Sequence, residues 1–350
     1  MAKILYGVQC TGHGHAVRAL TLARHFQEHE FLFLSQGMGA EVLRPEFQVV
    51  DCPNPESPIR NHRMAVAAML YSTLKVRSQS RRIYRFLMEI ADRFQPDVAM
   101  ADYEFFIPRV ARRLGIPCLS LDHQHIVSLC RHPVPWRMWP DYLGMELAIH
   151  SHYNRSTDYL AISFFRPPVK PRVKGKVLPP LLRETVLARQ PCQDDHVVAY
   201  QGYTTFPEFF TFLKAIPSPV MVYGFNEDRV DGNLHFKKTS EEGFLDDLAS
   251  CRYVVCGASH TLMSEALYYG KPVLCFPIKK AFEQYLNAFY LEHLGYGQFF
   301  TGFRPRPEII PSFEAKLDSF RANISNNHFC GNPEVFAEVD CFIREKRLNY

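Results

Sequence analysis

Two series of short apolar strands, each alternating with helical patterns, constrain this chain more than anything else in it. In the first, Lys3–Val8 (KILYGV), Phe31–Leu34, Asp97–Ala101, Cys118–Leu121 and Asp158–Ile162 read as buried strands, with amphipathic helices such as Ala16–Gln27 and Ile83–Phe94 between them. In the second, the strands are His196–Gln201, Val220–Tyr223, Leu234–Lys237, Tyr253–Cys256 and Pro272–Phe276, and the helices Phe206–Ile216, Phe244–Ser250, Thr261–Tyr269 and Glu283–Leu294. Strand, helix and strand in repeated succession predict a parallel sheet covered by helices on both faces.

Between the series, Arg166 to Pro191 holds six prolines and no sustained period. Proline fixes φ and removes a backbone donor, so regular structure is not expected to run through it. The expected organisation is α/β, with two tandem Rossmann-like doubly wound domains at 1–170 and 193–335, a linker at 171–192, and a ligand cleft between the domains. A helical pattern at Glu334–Lys346 fills the terminal 336–350, and the sequence does not say which domain it covers. A chain of 350 residues suits two cores better than one.

Several classes fall away. The longest helix-like apolar stretch, Met64 to Leu74, is well short of the roughly 20 residues that span a bilayer, and Met1–Val8 reads as a strand, not a signal peptide. A cytoplasmic protein is expected, with peripheral contact at the inner face of a membrane left open. Ten cysteines without a Cys-x-x-Cys pair read as reduced, mostly buried thiols. Residues 1–175 carry 22 Lys and Arg against 15 Asp and Glu, leaving 18 against 21 in the remainder. That modest excess suits an acidic or membrane-surface acceptor, or plain solubility, and no nucleic-acid partner is expected.

The first strand runs into Gln9-Cys10-Thr11-Gly12-His13-Gly14-His15 and then a helix. Gly12 and Gly14 permit a tight turn and close ligand approach, and a helix N-terminus favours negative charge. This is not the dinucleotide fingerprint, because the glycine spacing differs. His15, or its neighbour His13, has the chemistry to take a hydroxyl proton near neutral pH. Asp102, just past another strand, is placed to orient such a base, the alternative being a solvated loop carboxylate. His123 and His125 reach the same edge; with His13 and His15 they form a loose metal-like pattern that lacks a completing acid, so no metal is assigned.

In the second half, Gly257-Ala258-Ser259-His260-Thr261 leads from a strand into a helix bearing Glu265 and ending at Gly270. Small residues before a helix form a phosphate-sized cradle, and Glu265 is placed to accept the two hydroxyls of a ribose. Glu283, Gln284 and Asn287 open the following helix within reach of a sugar, and Gly202 closes the first strand of this half.

The GTGHGH-like first loop and the block SEALYYGKPVLCFPIKKAFEQYLNAFYLEHLGYG resemble glycosyltransferases of the two-Rossmann-domain GT-B type. The nearest group is the bacterial glycosyltransferase family 28 and UDP-glucuronosyltransferase-like set. Residues 40–95 and 125–195 take no part in the likeness. The resemblance implies a nucleotide sugar, most often UDP-linked, held mainly by the C-terminal domain with Glu265 at the ribose and Glu283 and Gln284 at the donor sugar, and no further cofactor; Gly12, Gly14, Gly202, Gly257 to Thr261 and Asn287 complete the candidate nucleotide-sugar contacts. It implies an acceptor on the N-terminal domain, His15 as general base supported by Asp102, and displacement with inversion in which helix N-termini, not a metal, stabilise the diphosphate. Cys10 and Ser259 stand where the family usually has glycine.

Two rivals remain. His15-Ala16-Val17-Arg18 also resembles the GHxxR start of hydrolases of this fold that cleave UDP from an amino sugar, and the departures at Cys10 and Ser259 suit a binding subunit whose chemistry has lapsed. The acceptor, whether a glycan, a lipid-linked sugar or a small molecule, is not legible. Arg131 to Trp139, basic and aromatic, fits an anionic membrane surface, an acceptor groove or a loop packing its tryptophans on the core.

Overall fold

The computed structural model describes residues 1–10, 12–56, 58–201, 207–302 and 306–350. The chain divides into two compact units. One comprises Met1–Pro58, Ala65–Arg183 and Gly331–Tyr350; the other comprises Ile59–Met64 and Glu184–Cys330.

The first unit contains strands β1 (Lys3–Val8), β2 (Glu30–Ser35) and β3 (Gln48–Asp51). Residues β4 (Ile59–Arg60) and β5 (Arg63–Met64) form a small antiparallel ladder that belongs to the second unit. The first unit continues with β6 (Val98–Asp102), β7 (Cys118–Asp122), β8 (Asp158–Ile162) and β9 (Lys176–Leu178). Its seven-stranded sheet runs β3-β2-β1-β6-β7-β8-β9, parallel throughout. Its helices are α1 (His13–His25), α2 (Met38–Leu43), α3 (Val66–Phe94), α4 (Ile107–Leu114), α5 (Ile126–Leu129) and α6 (Trp139–Ala148).

Side chains of β1 alternate between two cores, as the two-residue period of a strand requires. Ile4, Tyr6 and Val8 face α1, while Leu5 faces the core that contains Leu87 of α3 and Val110 of α4.

In the second unit, α7 (Glu184–Leu187) and α8 (Pro207–Lys214) flank β10 (Val197–Tyr200), and β11 (Val220–Tyr223), β12 (Arg229–Asp231), β13 (Leu234–Phe236) and β14 (Val254–Cys256) follow, with α9 (Glu241–Ser250) before β14. Then come α10 (His260–Tyr268), β15 (Val273–Cys275), α11 (Phe282–His293), β16 (Gly297–Phe299), α12 (Ile309–Glu314) and α13 (Leu317–Ser325). This sheet runs β12-β13-β11-β10-β14-β15-β16, parallel except for the edge strand β12. Two doubly wound sheets flanked by helices are thus present, as expected. The last helix, α14 (Asn332–Glu345), returns to the first unit, where Val335, Val339, Phe342 and Ile343 join the α1 side of its core.

Three expectations change. The proline-rich stretch is not without regular structure: β9 pairs with β8 inside it, since Lys176–Leu178 contains no proline and keeps its donors. Helix α3 begins at Val66, not Ile83, so it spans 29 residues. Helix α1 begins at His13, three residues earlier than expected, with Gly12 at φ +87° as its N-cap and His13, Gly14 and His15 as the first helical residues.

Among the described residues, no helix is long and apolar enough to cross a membrane. All ten cysteines are free thiols, and most are buried.

Candidate functional site

In a doubly wound sheet, ligands gather at the carboxyl ends of the strands where the winding direction reverses. In the first unit that point lies between the adjacent strands β1 and β6, paired in register Val8 to Asp102. From β1 the chain passes Gly12 into α1, and His15 is the third residue of that helix. Asp102 is the last residue of β6 and fully buried, so the solvated-loop alternative does not hold.

His15 Nδ1 lies 2.6 Å from Asp102 Oδ1. Arg18, one helical turn on, donates Nε to Oδ2 at 2.7 Å and Nη2 to Oδ1 at 2.7 Å. Arg18 Nη2 also lies 3.1 Å from His15 Nδ1. Both nitrogens face the same carboxylate oxygen, so the consistent assignment makes Nδ1 a donor to Asp102 and leaves Nε2 with its lone pair. The His15 side chain is 14% exposed, while Arg18 and Asp102 are enclosed. An imidazole, a carboxyl group and a guanidinium form this cluster. His15 and Arg18 thus share the Asp102 carboxylate.

The remaining residues of the first loop behave differently. His13 is exposed. Cys10 is buried, with its backbone N–H and its Sγ both directed at Gln9 Oε1. Burial, aided by the nearby Glu56 charge, pushes its thiol up to about 11, which keeps it protonated near neutral pH. Among the described residues helix α1 has no side-chain cap and no acid in its first turn, which leaves that end open to an anion.

The two further histidines do not gather with His13 and His15. His123 Nδ1 is 2.9 Å from the carbonyl oxygen of Ile162. His125 Nδ1 is 2.6 Å from Asp122 Oδ2, and its backbone N–H reaches Asp122 Oδ1 at 2.8 Å. Ser120 Oγ donates to Asp122 as well. Burial disfavours the Asp122 charge, but the His125 imidazole and these hydrogen bonds outweigh it and hold the carboxyl well below its ordinary range. This second carboxylate–imidazole pair was not singled out from sequence, although an acid one residue before a His-x-His was its signal. Among the described residues no group of three or more His, Cys, Asp or Glu is arranged for a metal.

In the second unit the corresponding reversal lies between β10 and β14. Gly202, just beyond β10, lies outside the described residues. After β14 the chain passes Gly257 and Ala258 to Ser259, the N-cap of α10. Ser259 is exposed and ordinary in backbone (φ −67°), whereas buried Ala258 takes the left-handed φ of +59°. The strain thus falls one residue before the position the sequence singled out. Asn287 Nδ2 donates to the Ala258 carbonyl at 3.1 Å, holding that conformation from α11. Helix α10, like α1, has neither a side-chain cap nor an acid in its first turn; α9, by contrast, is capped by Ser240, which accepts from the Gly243 N–H at 3.2 Å.

Thr261 is half-buried, and His260 and Glu265 are buried on α10. Glu283 is half-buried in the first turn of α11. Gln284 Oε1 accepts the Ile278 N–H at 3.0 Å, so part of that side chain braces the loop before α11. Gly270, at φ +73°, ends α10 as expected.

The model of the family described as glycosyl transferase family 1 matches residues 2–317. The chain belongs to glycosyl transferase family 1. It is an enzyme that transfers a sugar from a nucleotide-sugar donor. Two relatives, each named an uncharacterized glycosyltransferase, come from Methanosarcina acetivorans and Methanosarcina mazei; each is 24% identical, with 88% of this chain and 88% of the relative covered.

Solved structures similar in fold include the calicheamicin glycosyltransferase CalG4 (TM-score 0.66, 18% identity, 98% of both chains). They also include the glycosyltransferase VinC in complex with dTDP (0.63, 16%, 98% of this chain and 100% of that one) and MurG of Acinetobacter baumannii (0.60, 14%, 97% and 99%). The GT-B resemblance holds at this breadth. The matched model is that of family 1, which is broader than the kinship with family 28 and the UDP-glucuronosyltransferases expected from sequence.

Proposed function

We propose that this family 1 glycosyltransferase moves a sugar from a UDP-linked donor to an acceptor hydroxyl, with inversion and without a metal ion, using His15 as the general base. The His15–Asp102 contact of 2.6 Å carries the proposal. With Nδ1–H donated to Asp102, the lone pair on Nε2 takes the hydroxyl proton as the acceptor oxygen attacks the anomeric carbon from the face opposite the leaving diphosphate. In this reading His13 stands beside the base, and Gly12 and Gly14 let the nucleotide sugar approach the first loop. A cytoplasmic location is part of the same reading.

The leaving diphosphate meets the uncapped N-terminus of α10, where the N–H groups that follow Gly257, Ala258 and Ser259, together with His260 and Thr261, supply donors. Glu265, buried on α10, accepts the ribose hydroxyls, so a ribonucleotide offers it one more hydrogen bond than the deoxy counterpart does. Glu283, Gln284 and Asn287 lie toward the donor sugar. Arg18, which prompted the hydrolase alternative, has its guanidinium committed to Asp102.

The test is a donor and acceptor screen on wild type and His15→Ala, with and without a chelator. Transfer insensitive to the chelator and lowered by ~10²-fold or more in His15→Ala, with nucleotide affinity kept, supports the reading. Equal donor turnover with and without acceptor turns it into a hydrolase.

A further inference from the structure

Both tryptophans of the chain lie on one solvent-facing stripe of the first unit. The stripe begins at Trp136 in a 3₁₀ turn, Trp136–Met138, and continues along α6 through Trp139, Leu143 and Leu147. Positions i, i+3, i+7 and i+11 share one side of a helix. Trp136 is 76% exposed and Leu147 69%, with Leu143 and Trp139 about half exposed or more, and no residue of α6 is buried. Single exposed apolar residues are ordinary, but a continuous stripe with two tryptophans marks a surface that something covers.

What covers it is indicated by the charge beside it. The loop that follows β8 carries Arg166, Lys170, Arg172 and Lys174 with no acid among residues 163–183. An isolated bridge between Cys130 and Val169 and the bonds Arg131 N–H to Pro168 and Lys170 N–H to Leu129 fasten that loop beside the segment leading into Trp136. Lys170 Nζ joins it to α6 itself through Glu146 at 2.8 Å. The other cations, Arg131, Arg137, Arg166, Arg172 and Lys174, make no ion pair among the described residues.

We infer that the Trp136–Leu147 face and the Arg166–Lys174 loop together form a docking surface for an anionic phospholipid membrane. Tryptophan and leucine enter the headgroup boundary while the arginines and lysine meet lipid phosphates, the arrangement of a helix that lies in the interface without crossing it. A second copy is the poorer occupant, because a two-fold contact would bring the same cations against themselves.

The two tryptophans make the test direct, since no other residue contributes tryptophan emission. The full-length protein is mixed with vesicles of phosphatidylcholine alone or of phosphatidylcholine with phosphatidylglycerol, and emission and co-sedimentation are recorded at low and high salt. The expected result is a blue shift and co-sedimentation with the phosphatidylglycerol vesicles, reversed by salt. In Leu143→Ser/Leu147→Ser both should weaken several-fold, and in Arg172→Ala/Lys174→Ala roughly fivefold per removed cation, with unchanged thermal midpoints reporting intact folding. Unshifted emission with both vesicle types overturns the inference. So does equal, salt-insensitive binding to both, or a blue shift without lipid in a species of doubled mass, which assigns the face to self-association. No donor or acceptor enters the assay, so its failure is separate from failure of the transfer reading.

Discussion

Arg18 holds Asp102 with two hydrogen bonds of 2.7 Å, one from Nε and one from Nη2, and the carboxylate they grip is the one that faces His15. The catalytic candidate therefore rests on a buried ion pair whose partners come from α1 and β6.

Removing one partner of such a pair strands the other charge. Arg18→Met is expected to cost about 3–5 kcal/mol of stability, and Arg18→Met/Asp102→Asn much less than the sum of the two single changes. Urea unfolding of the three variants measures this; additive effects would mean that the two side chains act separately.

Asp102→Asn retains an acceptor for His15 Nδ1–H but loses the charge and presents an amide that favours the opposite tautomer when flipped. Transfer is expected to fall by ~10²-fold or more while nucleotide affinity stays at the wild-type value. Single-turnover assays on folded variant compare the two directly; undiminished transfer would reduce Asp102 to a structural residue.

Asp122 makes the stability of the protein depend on pH. Its folded carboxyl is held below the ordinary value, so the stability it contributes is present above the unfolded pKa of about 4 and lost as pH falls from there toward the folded value. Denaturant unfolding between neutral and acid pH should show a shallower acid loss in Asp122→Asn than in wild type. Parallel curves would contradict the assignment.

Ala258 occupies a left-handed backbone position that glycine adopts without strain. Ala258→Gly is expected to leave the thermal midpoint unchanged or raise it by the equivalent of up to about 1 kcal/mol, the relieved strain being offset by added unfolded-state entropy. A clear loss of stability in a thermal scan would show that the methyl group's packing outweighs its backbone cost.

The repeated strand–helix order made both sheets legible, and β1 and β8 lie where the apolar runs put them, because a strand buried on both faces leaves a continuous hydrophobic signature. Helix α3 was not legible over its first half: Leu70, Tyr71 and Leu74 face solvent there, so the amphipathic period begins only near Val76 and Ile83. Strand β9 was hidden by surrounding prolines, and the home of α14 depended on which core its apolar stripe met, a tertiary fact. At the site, His15 and Asp102 could be paired because each ends or follows a strand, whereas Arg18 as their clamp and Asp122 as the partner of His125 required the side-chain geometry.

In the proposed function the second unit binds the nucleotide of the donor through α10 and Glu265, and thermal unfolding with UDP, GDP and dTDP measures that binding. At ~100 times the dissociation constant, UDP should stabilise the protein by about 2.7 kcal/mol, dTDP less for want of the second ribose hydroxyl, and Glu265→Ala should abolish the preference. Absence of a shift with all three nucleotides, in protein shown to be folded, would contradict the donor site.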